Sequence, residues 1–254
     1  RVAAMAAAEK LIDEHKAYAK GLLGDKEYEQ AYGTTFAPLF AELREVVKSA
    51  NEAFYDRSYD QIVCMGELLS TAMFNSFLQQ QKVQSQWVDV RRVIRTDDTY
   101  RDAVIDWNYT KLDAEAIIGR KLKQGRVVVV QGFIGATADG YSVTLGREGS
   151  DYTAAVLAAM LGASSVTIWK DVDGFRNADP KLFPDTVKIN EISFTEVIEM
   201  AFYGAQIIHP KTIKPLHNHN IPLYVKCFLD KSLSGSVIRG DVSGITYPPL
   251  IVLK

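Results

Sequence analysis

Thr144-Leu-Gly-Arg-Glu-Gly-Ser-Asp151 concentrates reactive groups: a guanidinium, two carboxylates, two hydroxyls and two glycines lie directly before the run YTAAVLAAML. Ser150 and Asp151 are good N-cap residues, and Gly146 and Gly149 allow tight turns. A helix N-terminus offers unpaired N–H groups and a partial positive charge, and Arg147 adds a planar fork for a carboxylate or phosphate. An anion site and an ordinary helix cap beside a solvated arginine both fit this stretch taken alone. It is not a Walker loop, because the GxxxxGK[ST] spacing is missing.

Three further stretches could carry chemistry. Lys170-Asp-Val-Asp-Gly-Phe-Arg-Asn-Ala-Asp-Pro180 follows the strand candidate SVTIW, at the end where open α/β sheets bind ligands. Its aspartates lack the EF-hand spacing, and a solvated acidic loop is the alternative. Met65-Gly-Glu67-Leu-Leu-Ser70-Thr71 is expected to follow a strand and open a helix, with Glu67 and Thr71 on one face. Glu67 could bind an ammonium group or simply complement a helix N-terminus. Gln131-Gly-Phe-Ile-Gly135 follows VVVV, where glycines permit close ligand approach or a plain turn. His209, His217 and His219 show no metal-ligand spacing, so no protein-built metal site is expected.

These stretches need a frame. Residues 5–55 carry apolar residues at spacings of three and four and read as helical. DQIVCM (60–65) reads as a buried strand, QSQWVDV (84–90) as another, and LDAEAIIGRKLKQG (112–125) as a helix closed by Gly125. RVVVVQGF (126–133) reads as a strand covered on both faces, followed by an Asp-Gly hairpin in IGATADGYSVTLG. A helix over about 151–162, strand SVTIW (165–169), a capping box at Ser193-Phe-Thr-Glu196, a short helix from His209-Pro210 and strand IPLYVKCF (221–228) complete the alternation. Strands alternating with helices predict an α/β fold with a mainly parallel sheet.

The totals set the limits. In 254 residues, 29 Lys+Arg face 31 Asp+Glu for a net charge of -2, so no basic excess supports binding to nucleic acid or a membrane surface. Hydrophobic residues at 47% allow one large α/β domain or two smaller ones. Cys64 and Cys227 lie apart in apolar runs and read as buried free thiols. No apolar run approaches bilayer length, and a cytoplasmic location is expected.

Taken in order, VVVVQGFIG, SVTLGREGSDYTAAVLA, VTIWKDVDGFRNADP, ISFTEVIEMAFYGAQIIHPKTIKP and IPLYVK resemble the aspartokinases of the amino-acid kinase family, with MGELLST upstream. The resemblance covers roughly residues 60–240. It implies a three-layer αβα sandwich around a mainly parallel central sheet, and transfer of the ATP γ-phosphate to the side-chain carboxylate of L-aspartate. It further implies that Arg147 grips a substrate carboxylate, that Glu67 meets the ammonium group, and that Phe133, Thr144 and Ser150 line the same pocket. Asp151 would organise the transfer. Lys170, Asp171, Phe175, Arg176 and Lys181 would form the nucleotide wall with Gln206 nearby, and Mg²⁺ would bridge phosphate oxygens.

The chain departs from the family pattern at several points. Glu148 replaces the middle glycine of Gly-Arg-Gly-Gly-Ser-Asp and is expected to point away from the anionic substrates. Leu68 stands for an arginine, Gln206 for a lysine and Lys181 for an arginine. The family's opening strand with its Lys-Phe-Gly-Gly-Thr-Ser loop does not occur in these residues. The expectation is therefore a catalytic domain over 1–240 without its first segment, and a tail over 241–254 leading toward a regulatory ACT region. A homodimer is expected for the full-length protein. The kinase half of an aspartokinase–homoserine dehydrogenase, a kinase for glutamate or an acetylated amino acid, and a non-catalytic binding module are the alternatives.

Overall fold

Helices account for most of the first 80 residues. The computed structural model describes residues 2–203, 208–244, 246, 248, 250 and 251, and the chain divides into two compact units, 1–150 and 151–254.

In the first unit, α1 (Val2–Leu23) buries Ala8, Ile12, Ala19 and Leu23, one stripe of an alanine-rich helix. It packs on α3 (Ala37–Ser49), to which Glu9 and Arg44 add a two-pronged ion pair. Between them lie α2 (Asp25–Ala31) and a wider-wound turn at Tyr32–Phe36. Tyr28, Tyr32, Phe36 and Phe40, spaced by four, bring their rings together there, with Tyr28 and Phe36 stacked at 5.5 Å.

α4 (Tyr55–Gln80) corrects the expected strand at 60–65. Four apolar residues in a row suit a buried strand or a helix equally well. The buried set Asp60, Cys64, Met65, Leu68, Leu69, Ala72 and Asn75 follows helical spacing without a break, and Gly66 sits mid-helix. Glu67 therefore lies three turns inside a helix, so helix-terminal charge does not explain it.

The strands β1 (Ser85–Trp87) and β3 (Val127–Val129) pair in parallel. Val127 is 49% exposed, so this strand is not covered on both faces as its valines suggest. β2 (Arg95–Thr96), β4 (Ile134–Thr137) and β5 (Ser142–Thr144) form a second sheet, β2 and β4 parallel and β4 and β5 the expected hairpin. The helical segment between β2 and β3 starts at Trp107, earlier than expected, because Asp106 caps it by accepting from the N–H groups of Asn108 and Tyr109. It runs through α5 (Trp107–Asp113), a wider turn at Ala114–Gly119 and α6 (Arg120–Lys123), and ends at Gly125 with φ 74°.

α7 (Gly149–Leu161) opens at the unit boundary. In the second unit a four-stranded sheet runs in the order β6 (Val166–Lys170), β10 (Leu223–Cys227), β11 (Ser236–Arg239), β9 (Glu191–Ser193). β6 and β10 are parallel, β10 and β11 antiparallel, and β11 and β9 parallel. β7 (Phe175–Arg176) and β8 (Lys188–Ile189) make a small antiparallel pair. α8 (Phe194–Phe202) begins with the expected capping box, and α9 (Pro210–Asn218) begins at His209. Ile168, Phe194, Ile213, Leu216, Val225 and Ile238 belong to one buried core. Among the described residues parallel pairings are the majority, four of seven, and the strands fall into four hydrogen-bonded groups. Cys64 and Cys227 are free and buried, and burial pushes the Cys64 thiol far up. No helix among the described residues is long and apolar enough to cross a membrane.

Candidate functional site

The residues singled out in the sequence fall into two groups, one in each unit. In the first unit, α4 runs against β5 and reads its backbone residue by residue. Gln61 donates to Ser142 O and accepts from Ser142 N–H, the Cys64 thiol lies 3.5 Å from Val143 O, and Asp60 accepts from Thr144 N–H and its hydroxyl, both at 2.9 Å. Thr144 is thus buried, with its hydroxyl committed to Asp60.

The turn beyond β5 is backbone under constraint. Phe133, Gly146 and Glu148 have φ of 72°, 76° and 54°, and left-handed conformations at non-glycine residues gather at functional sites. A Cβ on Gly146 would come within 2.3 Å of Asp102 Oδ1, one on Gly149 within 2.7 Å of the Phe133 ring, and one on Gly132 within 2.8 Å of Ser150. Gly132 and Gly149 therefore let Gln131–Gly135 and Gly146–Ser150 approach within van der Waals distance, and Gly146 makes room for Asp102. Arg147 and Ser150 are exposed on this turn, and Glu148 is half-buried.

Glu67 is half-buried, and burial alone holds its carboxyl above the usual range. One turn on, Thr71 donates to Glu67 O at 2.7 Å and accepts from Trp87 Nε1 and from Gln131 Nε2. Gln131 is fully buried, and its carbonyl accepts from Val90 N–H at 2.8 Å. This chain of hydrogen bonds fixes the end of the VVVV segment against α4.

In the second unit, Asp151 in the first turn of α7 meets Lys170 at the end of β6, Oδ2 to Nζ 3.0 Å. Two candidates 19 positions apart are thereby brought together (170 − 151). Asp171 is exposed. Arg176 forms a fork on Asp173 and donates to Thr186 O, and Lys181 is exposed in a turn. Phe175 is 1% exposed and belongs to the core. Gln206 lies outside the described residues. The loop is pinned by Ser236, whose hydroxyl accepts from Phe175 N–H and donates to Ile189 O. Gly174, φ 131°, leaves room for that hydroxyl.

Asp60 and Ser236 were not anticipated from the sequence, whereas Thr71 was placed on one face with Glu67. Asp60 had a signal, an acid on the apolar face of a helix, which the strand assignment concealed. Ser236 had none, because a serine in SLSGSVIRG resembles any turn residue.

A hydroxyl- and arginine-bearing turn leading into a helix, and a lysine held at a strand end by the first-turn aspartate of that helix, suit the binding of anions. The model of the amino acid kinase family matches residues 3–227, and the chain belongs to that family. Within it, the chain is similar to the lysine-sensitive aspartokinase 3 of Escherichia coli, 42% identical over 191 residues that make up 75% of this chain and 42% of that protein. It is also 35% identical to a bifunctional aspartokinase/homoserine dehydrogenase of Haemophilus influenzae, over 86% of this chain and 25% of that one. Its fold matches the crystal structure of E. coli aspartokinase III in complex with aspartate and ADP with a TM-score of 0.76 at 38% identity, covering 82% of this chain and 46% of that one. The chain spans less than half the length of these relatives.

Proposed function

We propose that the protein carrying this chain is an aspartate kinase, transferring the γ-phosphate of ATP to the side-chain carboxylate of L-aspartate. The carrying observation is Glu67, a half-buried carboxylate raised by burial with no ion-pair partner among the described residues, on the helix that also pins the Arg147 turn. A carboxylate left without a cation in a partly dry place is a seat for a substrate ammonium group. Arg147 then takes a carboxylate in its fork, and Ser150 adds a hydroxyl. Together they recognise a small amino acid by its charges. The likeness to aspartokinases, one of them solved with aspartate and ADP, supports aspartate as that amino acid.

The nucleotide side rests on the second unit. Lys170 and Arg176 supply positive charge for phosphates. Asp151 and Asp171 carry hard carboxylate oxygens and would hold Mg²⁺. When bound, Mg²⁺ neutralises phosphate charge during transfer. The reaction forms a bond from the aspartate side-chain oxygen to the γ-phosphorus as the bond to the ADP oxygen breaks. The protein positions and neutralises, with little covalent work. In this reading Asp151 holds Lys170 at the strand end until phosphate competes for it, and residues 1–240 form the catalytic domain.

A hydroxamate assay on the complete gene product, with aspartate, glutamate and N-acetylglutamate offered separately, tests the reading. Product with aspartate alone is expected. Product only with another acid, or none with any, overturns it.

A further inference from the structure

Among the described residues Asp60 is the only carboxylate in the fully buried set, at 0% exposure, and it forms no salt bridge. A charge buried without a cation is costly unless several donors converge on it. Here three do: Oδ2 accepts from Arg101 N–H at 2.8 Å and Thr144 N–H at 2.9 Å, and Oδ1 accepts from the Thr144 hydroxyl at 2.9 Å. Thr144 O in turn accepts from Ala103 N–H, and Leu145 N–H donates to Phe133 O. Arg101 has φ 71°, and its carbonyl and Asp102 press against Gly146. Every polar group of Thr144 is therefore tied down three residues before Arg147, and the Asp60 carboxylate is the common anchor.

Asp60 and Glu67 lie seven residues apart on α4, two turns along the same face and about 10 Å at 1.5 Å per residue. We propose that Asp60 is a positioning residue that fixes the Arg147 turn at a set distance from Glu67, so that one rigid helix gauges the separation of the two charged ends of the amino-acid substrate. This rests on the roles proposed above for Glu67 and Arg147. The gauge needs acceptor oxygens in place and does not need a negative charge. An asparagine oxygen in the Oδ2 position can take both N–H groups while its NH₂ donates to a reoriented Thr144 hydroxyl.

The test uses the complete gene product with Asp60→Leu, which keeps bulk and removes the acceptors, and Asp60→Asn. Asp60→Leu is expected to raise the KM for aspartate by about tenfold or more while the KM for ATP stays within about twofold. Amide hydrogen exchange over residues 142–150 should speed up in Asp60→Leu, and Asp60→Asn should recover most of both properties. Equal change in both KM values, or unchanged exchange in Asp60→Leu, overturns the proposal. If Asp60→Leu does not fold, Asp60→Asn decides, and loss of exchange protection or of the KM for aspartate in it overturns the proposal. Exchange is read without substrate, so a wild type inactive on aspartate defeats the substrate reading while the anchoring is still decided.

Discussion

Two residues carry strain whose origins differ. Glu67 has its carboxyl raised by burial, so the folded chain binds that proton more tightly than the unfolded chain does. Stability from this group is therefore lost as pH rises from the unfolded carboxylate range through the folded pKa. At neutral pH Glu67→Gln should raise the melting temperature while weakening aspartate binding. The melting curves of variant and wild type should converge as pH falls below that range, and a gap that persists there would contradict the cause. Glu148 sits at φ 54°, a conformation that costs a non-glycine residue about 1 kcal/mol. Glu148→Gly should raise the melting temperature by a few degrees and leave the KM for aspartate nearly unchanged, and a large fall in that KM would mean the acid faces the substrate. The left-handed φ also explains why glycine suits this position, which the resemblance stated without a reason.

At the scale of elements, the sequence was most legible where local chemistry is strong. The Ser193–Glu196 capping box, the Asp139-Gly140 hairpin and the His209-Pro210 helix start all stand as read. It misled where periodicity is ambiguous over a few residues, as in Ile62–Met65, and so Glu67 was placed at a helix start and Asp60 passed unnoticed. It was silent on contacts between segments distant in sequence, such as Ser236 with Phe175 and Ile189. Ser236→Ala would leave both buried backbone groups without this partner and should cost about 1–3 kcal/mol. Urea denaturation should show the loss, and ATP affinity should fall with it because the Lys170–Arg176 loop is released. An unchanged midpoint would contradict the anchoring of that loop.

Across the molecule, the first unit carries the groups proposed for the amino acid and the second those proposed for the nucleotide, with Ser150 and Asp151 adjacent in the chain where the units divide. The most direct measurement is ADP release by the complete gene product as aspartate and ATP are varied in turn, for wild type and Arg147→Ala. Loss of a charge-assisted fork of about 3 kcal/mol corresponds to roughly a hundredfold. Aspartate-dependent release in the wild type is expected, with the KM for aspartate raised by that factor in Arg147→Ala and the KM for ATP unmoved. Release independent of aspartate, or an Arg147→Ala defect confined to ATP, would contradict the assignment.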